Sequence, residues 1–257
     1  GSFDNKKMPP DNPNFIPTYQ SQNSTVYTTS YTSDDFYGLL EPGEGEGSGT
    51  VDIGTGRLPV SDTTEAGILV AKTRAYLDPA NSGEWKTRIA VVADDEDDNA
   101  HLNDAEGLAA LIGSEDPDFS IEKIYLDSFR QENKETGGSY PLVNRAINDR
   151  INEGCLIFNY TGHGNENGLA HERILTTDDI QSWKNGGKLP LFVTATCEFS
   201  RFDDAETSII DGTRTERPSA GERVLLKAEG GSIALMSTSR LAYSAPNYSL
   251  NRNIFSS

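Results

Sequence analysis

From about residue 86 onward, short β-branched apolar runs alternate with stretches whose apolar positions recur every three or four residues. Arg88–Ala93 predicts a buried strand by its length and branching. Leu102–Ile112 predicts a helix, Ile121–Leu126 a strand, and Pro141–Asn152 an amphipathic helix with Val143, Ile147 and Ile151 on one face. A strand over Cys155–Tyr160 and a short helix near Asp178–Trp183 follow. Then come a strand over Leu191–Ala195, a helix over Ala220–Glu229 and a strand over Ser232–Met236. Strands alternating with helices build βαβ units, so the expected class is α/β, a mostly parallel sheet flanked by helices on both faces.

The first third is different. Residues 1–32 are polar and carry Pro9, Pro10, Pro13 and Pro17, which reads as a linker or extended arm. Residues 33–85 are expected to form a smaller N-terminal α/β subdomain, shortened. It would hold a Glu/Gly loop over Glu41–Thr50, short strands at Val51–Gly54 and Arg57–Val60, and a helix over Thr63–Leu77 capped by Asp62 or Thr63. Residues 86–257 are then the catalytic-type α/β subdomain.

Charge narrows the partners. With 22 basic and 40 acidic side chains in 257 residues, the formal net charge is −18 and the pI near 4.5. Such a field repels phosphate backbones and anionic lipid surfaces, which argues against nucleic acid as partner. No apolar run approaches the roughly 20 residues of a bilayer crossing, and nothing reads as a signal peptide. Because the chain opens on Gly1, we expect a processed or recombinant fragment whose targeting segment was removed.

In an open parallel sheet, sites form beyond the carboxyl ends of the strands. After Ala93 come Asp94, Asp95, Glu96, Asp97 and Asp98; after Tyr160 come Thr161, Gly162, His163 and Gly164. After Ala195 come Thr196, Cys197 and Glu198, and after Met236 the run Ser237–Arg240. An imidazole and a thiol on one sheet edge are the parts of a cysteine nucleophile with a proton-transfer partner.

The other cysteine, Cys155, opens a strand. If the strands are parallel neighbours, the thiols stand on the order of 16 Å apart, beyond the about 7 Å that a disulfide spans between Cα atoms. Cys155 therefore reads as a small core residue. Of the three histidines, His101 and His171 read as structural or surface residues, whereas His163 lies between two glycines that let a substrate approach. The amides of Gly164 and Cys197 could form an oxyanion hole. His163 and Cys197 are separated by 34 residues (197 − 163), one strand–helix–strand step.

Asn159–Gly164 and Leu189–Cys197 resemble the histidine motif and nucleophile strand of the gingipain family (C25) of cysteine peptidases, which has the caspase-like fold. Ser33–Gly38 and Asp52–Val60 resemble its N-terminal subdomain. The resemblance implies Cys197 as nucleophile, His163 as the group protonating the leaving amine, and Asp94 (or Asp95) as the acid that orients the histidine. It also implies Asp98 as reader of a basic P1 side chain and Tyr243 as the aromatic over that pocket, where gingipains carry Trp. More narrowly, Thr194–Asp203 with Ser219–Glu222 resembles the sortases of the type IX secretion system of Bacteroidetes. These cleave the C-terminal signal domain from secreted cargo at the outer membrane, on the extracellular face, and join the cargo to an anionic lipopolysaccharide. The implied partners are thus protein substrates and outer-membrane secretion components. The chain ends soon after Asn247–Ile254, earlier than the family's catalytic domain, so the fragment is expected to be C-terminally truncated, and the resemblance leaves open whether it is active on its own.

No cofactor is required by this chemistry. Asp95, Asp97, Asn99 and Glu106 match positions 1, 3, 5 and 12 of a calcium loop, but Ala100 replaces the glycine of position 6. An EF-hand is not expected; a looser structural calcium ion is compatible with the acidic charge, as is a solvated loop. The rival function is a non-catalytic peptidase-like module that binds partners at the cell surface. Neither a nucleotide-binding glycine motif nor G-x-S-x-G occurs.

Overall fold

The computed structural model describes residues 16–22, 26, 28–45, 48–134, 137–203, 205–207 and 214–256; the prolines at 9, 10 and 13 lie outside them. Its centre is a five-stranded parallel sheet: β1 (Arg88–Ala93), β2 (Ser120–Tyr125), β3 (Ile157–Thr161), β4 (Leu191–Ala195) and β5 (Ala234–Ser237). The spatial order is β5-β4-β3-β1-β2. Six α-helices accompany it among the described residues: α1 (Thr63–Leu77), α2 (Ala100–Glu115), α3 (Pro141–Glu153), α4 (Thr177–Ser182), α5 (Ala220–Leu226) and α6 (Ser244–Phe255).

Alternation along the strands sorts the two faces. Ala90, Val92, Phe158, Tyr160 and Phe192 pack against Val143, Ile147 and Ile151 of α3, Ile180 of α4 and Val224 of α5. Ile89, Val91 and Ala93 point the other way, onto Ala105, Leu108, Ala109 and Ile112 of α2, with Phe255 of α6 joining them. Strands covered on both faces are largely apolar, which is why periodicity alone registers them as short runs. The chain steps from β1 outward to β2, then returns past β1 to β3, so the order reverses between β1 and β3. At such a switch point two loops diverge and leave a crevice at the carboxyl edge.

The expected strands over Arg88–Ala93 and Leu191–Ala195 and the helix over Thr63–Leu77 form with those bounds; Asp62 is the cap, accepting from the amides of Thr64 and Glu65. The third strand starts later than Cys155, because Gly154 (φ +95°) ends α3 and Leu156 first bonds the Arg88 carbonyl. Helix α5 stops at Leu226, since the Val224 carbonyl is taken by the amide of Ser232, which delays β5 to Ala234. The strands expected at Val51–Gly54 and Arg57–Val60 do not form. Instead Arg57 is spent on Asp34 (2.7 Å) and on the carbonyls of Ile16 and Pro17, with Phe202 under its guanidinium. Helix α6 was not anticipated.

The described part of the arm is not free. Tyr19–Gln20 pairs antiparallel with Thr32–Ser33. From that pair Gln20 donates to Asp203 (3.2 Å) and Thr32 to Ser239 (2.9 Å), both near the carboxyl edge.

Candidate active site

Three loops meet at the carboxyl edge. The first follows β1 and begins at Asp94, which is fully buried. Its carboxylate accepts from the backbone amide of His163 (2.9 Å), from its neighbour Asp95 (3.1 Å) and from the Tyr160 hydroxyl (3.3 Å). Burial pushes the Asp94 carboxyl above its ordinary range, against the pull of the two amides. Beyond it Asp97, Asp98 and Asn99 have φ of 60°, 52° and 65°, three successive left-handed residues. Asp and Asn are the non-glycine types that best tolerate this conformation, and the turn delivers the chain into α2 with His101 buried in its first turn.

The second loop follows β3. Gly162 has φ +155°, and a Cβ there would meet the Asp94 side chain and the Tyr160 hydroxyl. Only glycine lets the chain turn against the buried acid. The Tyr160 hydroxyl bonds the His163 carbonyl (2.7 Å), so the backbone of His163 is gripped from both sides. Its ring lies among acids and other imidazoles. Nε2 stands 3.2 Å from Asp97 and 3.5 Å from Glu96. The His171 ring stacks on it (centroids 4.9 Å apart, 13° between planes), and the His101 ring meets it edge-on (5.2 Å, 89°). Glu96 also bonds His171 (3.1 Å) and thereby raises the His171 pKa.

The third loop carries Cys197. Glu198 behind it is left-handed (φ 53°) and buried. The loop is clamped to the chain beyond β5: the Glu198 amide bonds the Arg240 carbonyl (3.1 Å), Ser200 bonds Thr238 (3.0 Å), and the Thr238 hydroxyl and Asn247 amide both bond the Thr196 carbonyl. A buried two-pronged pair between Arg240 and Asp203 (2.7 and 2.5 Å) braces the same segment. The Cys197 thiol is half-buried and donates to the Ala242 carbonyl at 3.5 Å. Tyr243, the next residue, is 71% exposed.

Register explains how histidine and cysteine come together. Strands β3 and β4 pair with a constant offset, Ile157 with Leu191 through Thr161 with Ala195. His163 and Cys197 each lie two residues past the last pair, so the 34-residue offset seen in sequence is the ladder register itself (195 − 161). Gly162 continues the contact through a bond to the Ala195 carbonyl (3.2 Å), and Gly164 lies so close to Thr196 that a Cβ would come within 2.5 Å of its hydroxyl. Among the described residues no hydrogen bond joins the ring to the thiol. Such bonds are often long before a substrate arrives. The Cys197 amide makes no hydrogen bond among the described residues, as an oxyanion donor requires.

The other expected residues fall as follows. Asp94 contacts the backbone of His163, while Asp97 and Glu96 face its ring. Asp95 is taken by the Tyr140 hydroxyl (2.5 Å). Asp98 is exposed on its turn and forms no ion pair or hydrogen bond among the described residues. Cys155 lies fully buried at the opposite end of β3 from the site, its thiol pushed up to about 12 by burial. Glu106, the last position of the calcium-loop spacing, pairs with Lys123 (2.6 Å). Sequence reasoning placed Glu96 and Asp97 on the sheet edge without assigning them to the ring of His163, and read His101 and His171 as structural or surface residues. The one signal for His101 was its placement four residues after Asp97; nothing pointed to His171, which returns through a hairpin pairing Gly164–Asn165 with Gly168–Leu169. Two groups could hold a cation: Asp97, His101 and His163, and separately Asp94, Asp95 and Glu172, each with ligand atoms within 4.8 Å of one another. Burial raises the Glu172 carboxyl above its ordinary range.

A parallel sheet with a histidine loop and a cysteine loop on neighbouring strand ends defines a peptidase-type α/β fold of the gingipain kind. The model for peptidase family C25 matches residues 1–257, and the chain belongs to that family. Among solved structures it resembles the Arg-specific cysteine proteinase gingipain R (RgpB), with a TM-score of 0.66, 17% identity, and 85% of this chain and 46% of that one covered. It also resembles the complex of Porphyromonas gingivalis RgpB pro- and mature domains (TM-score 0.57, 16% identity, 73% and 41% covered). A third structure, described only as a protease, matches with a TM-score of 0.62 at 18% identity over 86% and 43%. The chain thus spans less than half the length of each of these three structures. No curated protein matches it.

Proposed function

We propose that the protein is a cysteine endopeptidase that forms an acyl-enzyme on Cys197. The observation that carries this reading is the shared position of His163 and Cys197, two residues beyond register-paired ends of adjacent strands. The Cys197 thiolate adds to the scissile carbonyl carbon, and the oxyanion takes hydrogen bonds from the amides of Cys197 and Gly164. As the C–N bond breaks, the His163 imidazolium gives its proton to the departing amine. The thioester is then opened by water, or by an amine acceptor, whose proton passes to the imidazole. Asp94 fixes the loop, Asp97 and Glu96 support the charged ring, and Asp98 and Tyr243 belong to the P1 side. A basic P1 residue suits the acidic loop.

Opening of the thioester by an amine is the sortase step. The run Thr194–Asp203 supports a role like that of PorU, acting on C-terminal signal domains of type IX cargo at the extracellular face of the outer membrane with its secretion components. Among the described residues no helix is long and apolar enough to cross a membrane. A structural calcium ion on Asp94, Asp95 and Glu172 belongs to the same reading; Asp95 Oδ1 and Glu172 Oε2 are buried without a hydrogen-bond partner. The bond from the Cys197 thiol to Ala242, rather than to the ring, favours the rival binding-module reading. Incubating the protein with a reporter peptide and an excess of a simple amine separates these readings. Both hydrolysed and amine-capped products, absent from Cys197→Ala, are expected. Hydrolysis alone removes the sortase role, and no product from a chain extended to the full protein leaves the binding module.

A further inference from the structure

The imidazole cluster around His163 is more than the peptidase reaction uses. His101 is 95% buried by its 5% exposure, and neither of its ring nitrogens has a hydrogen-bond partner. An imidazole stripped of water and left unbonded is unfavourable unless another partner takes its nitrogens. His163 Nε2 is likewise buried without a hydrogen bond. Yet a carboxylate oxygen, Asp97 Oδ2, stands 3.2 Å from the Nε2 atoms of both rings. It lies within ion-pair distance of each and outside hydrogen-bond geometry with both. The N–H vectors therefore do not aim at the oxygen, as they would if the carboxylate were simply an acceptor.

Three donor atoms of Asp97, His101 and His163 within 4.8 Å of one another are close enough to share one metal ion. A tetrahedral cation with bonds of about 2.0–2.2 Å places neighbouring ligand atoms roughly 3.3–3.5 Å apart. The two measured separations are 3.2 Å, and the rings stand at 89° to each other, as separate corners of a tetrahedron allow. The left-handed turn at Asp97 (φ 60°) brings the carboxylate back over the first turn of α2, one turn before His101. Two imidazoles and one carboxylate select a borderline cation of the zinc type over calcium, which prefers oxygen alone.

We infer that Asp97, His101 and His163 bind a zinc-type divalent cation, and that this binding holds the peptidase site latent. The cation takes the Nε2 lone pair of His163, so the ring can neither accept the thiol proton nor return one to a leaving amine. The fourth position is open to water or to Glu96, whose Oε2 lies 3.5 Å from the same nitrogen. The inhibitory consequence rests on the peptidase reading; the binding does not.

Zinc is therefore titrated first into the full chain carrying Cys197→Ala, against a chromophoric chelator, with cobalt as a spectroscopic substitute. The expected result is one zinc per chain and a tetrahedral cobalt spectrum. Affinity should fall at least about 100-fold in an added His101→Gln and about 10-fold or more in Asp97→Asn. Circular dichroism checks that each variant folds, and if His101→Gln does not, the exposed Asp97 carries the test. No zinc bound by Cys197→Ala, or binding indifferent to the folded variants, overturns the site. In the chain with Cys197 intact, zinc should block alkylation of Cys197 by a peptidyl electrophile and a chelator should restore it. Zinc binding with a thiol that never labels, chelator or not, upholds the site and overturns the peptidase reading. Labelling indifferent to bound zinc overturns the latency.

Discussion

Gly162 is where the site has least room. Its φ of +155° and the contacts a Cβ would make with Asp94 and Tyr160 leave no space for a side chain. Gly162→Ala should cost at least about 2 kcal/mol through forced backbone and packing shifts, read as a lower urea midpoint, and should weaken any reaction at Cys197. A variant as stable as the parent would show that the His163 loop can relax without Asp94. At this scale the placement of Cys197 and His163 on one sheet edge was legible, since a thiol and an imidazole both fell just past apolar strands. The acids facing the ring were not. Asp94 follows the strand most closely and sequence favours it, but its carboxylate is spent on the His163 backbone, and the reach of Asp97 comes from three left-handed residues that no pattern marks.

At the scale of elements, periodicity found all five sheet strands and most helices, because their packing is apolar on apolar. It missed α6, whose buried contact is polar. Asn251 of α6 and Asn159 in the middle of β3 bond one another (2.7 and 3.2 Å), with Thr161 as a third partner. A pattern that equates polarity with exposure cannot see such a pair. Between α1 and α5 another buried polar contact gives a pH signature. Lys72 is 7% exposed, its ammonium bonded to the Leu225 carbonyl (2.7 Å), and burial, with Lys227 nearby, lowers its pKa to about 8 from 10.5. The folded state disfavours the charged form, so stability is fully present above pH 10.5 and is lost as pH falls through about 8. Between those values the urea midpoint of the parent should therefore rise with pH relative to that of Lys72→Met. Parallel curves would mean that the ammonium remains solvated.

For the whole molecule, the −18 charge and the switch point between β1 and β3 act together. The switch point lies beside Asp94–Asp98, so under the proposed function the field of the chain is concentrated on the side a peptide would approach. On this account the KM for a peptide with several positive charges rises steeply between low salt and about 0.3 M, as the screening length shrinks, while that for a neutral peptide of the same length barely moves. Equal slopes for the two would remove the acidic loop from substrate recognition. Fold class, sheet edge and the 34-residue register were legible from sequence at this scale. The gathering of three histidines was not, because it depends on where a hairpin and a helix meet in space.

The central claim is that Cys197 is a nucleophile served by His163. It is tested most directly by treating the metal-free protein with a peptidyl electrophile carrying Arg at P1 and locating the adduct by mass spectrometry. The account predicts one adduct, on Cys197, lost in His163→Ala and unaffected by replacing Cys155. An accessible Cys197 left unmodified, or modified equally well in His163→Ala, would contradict it.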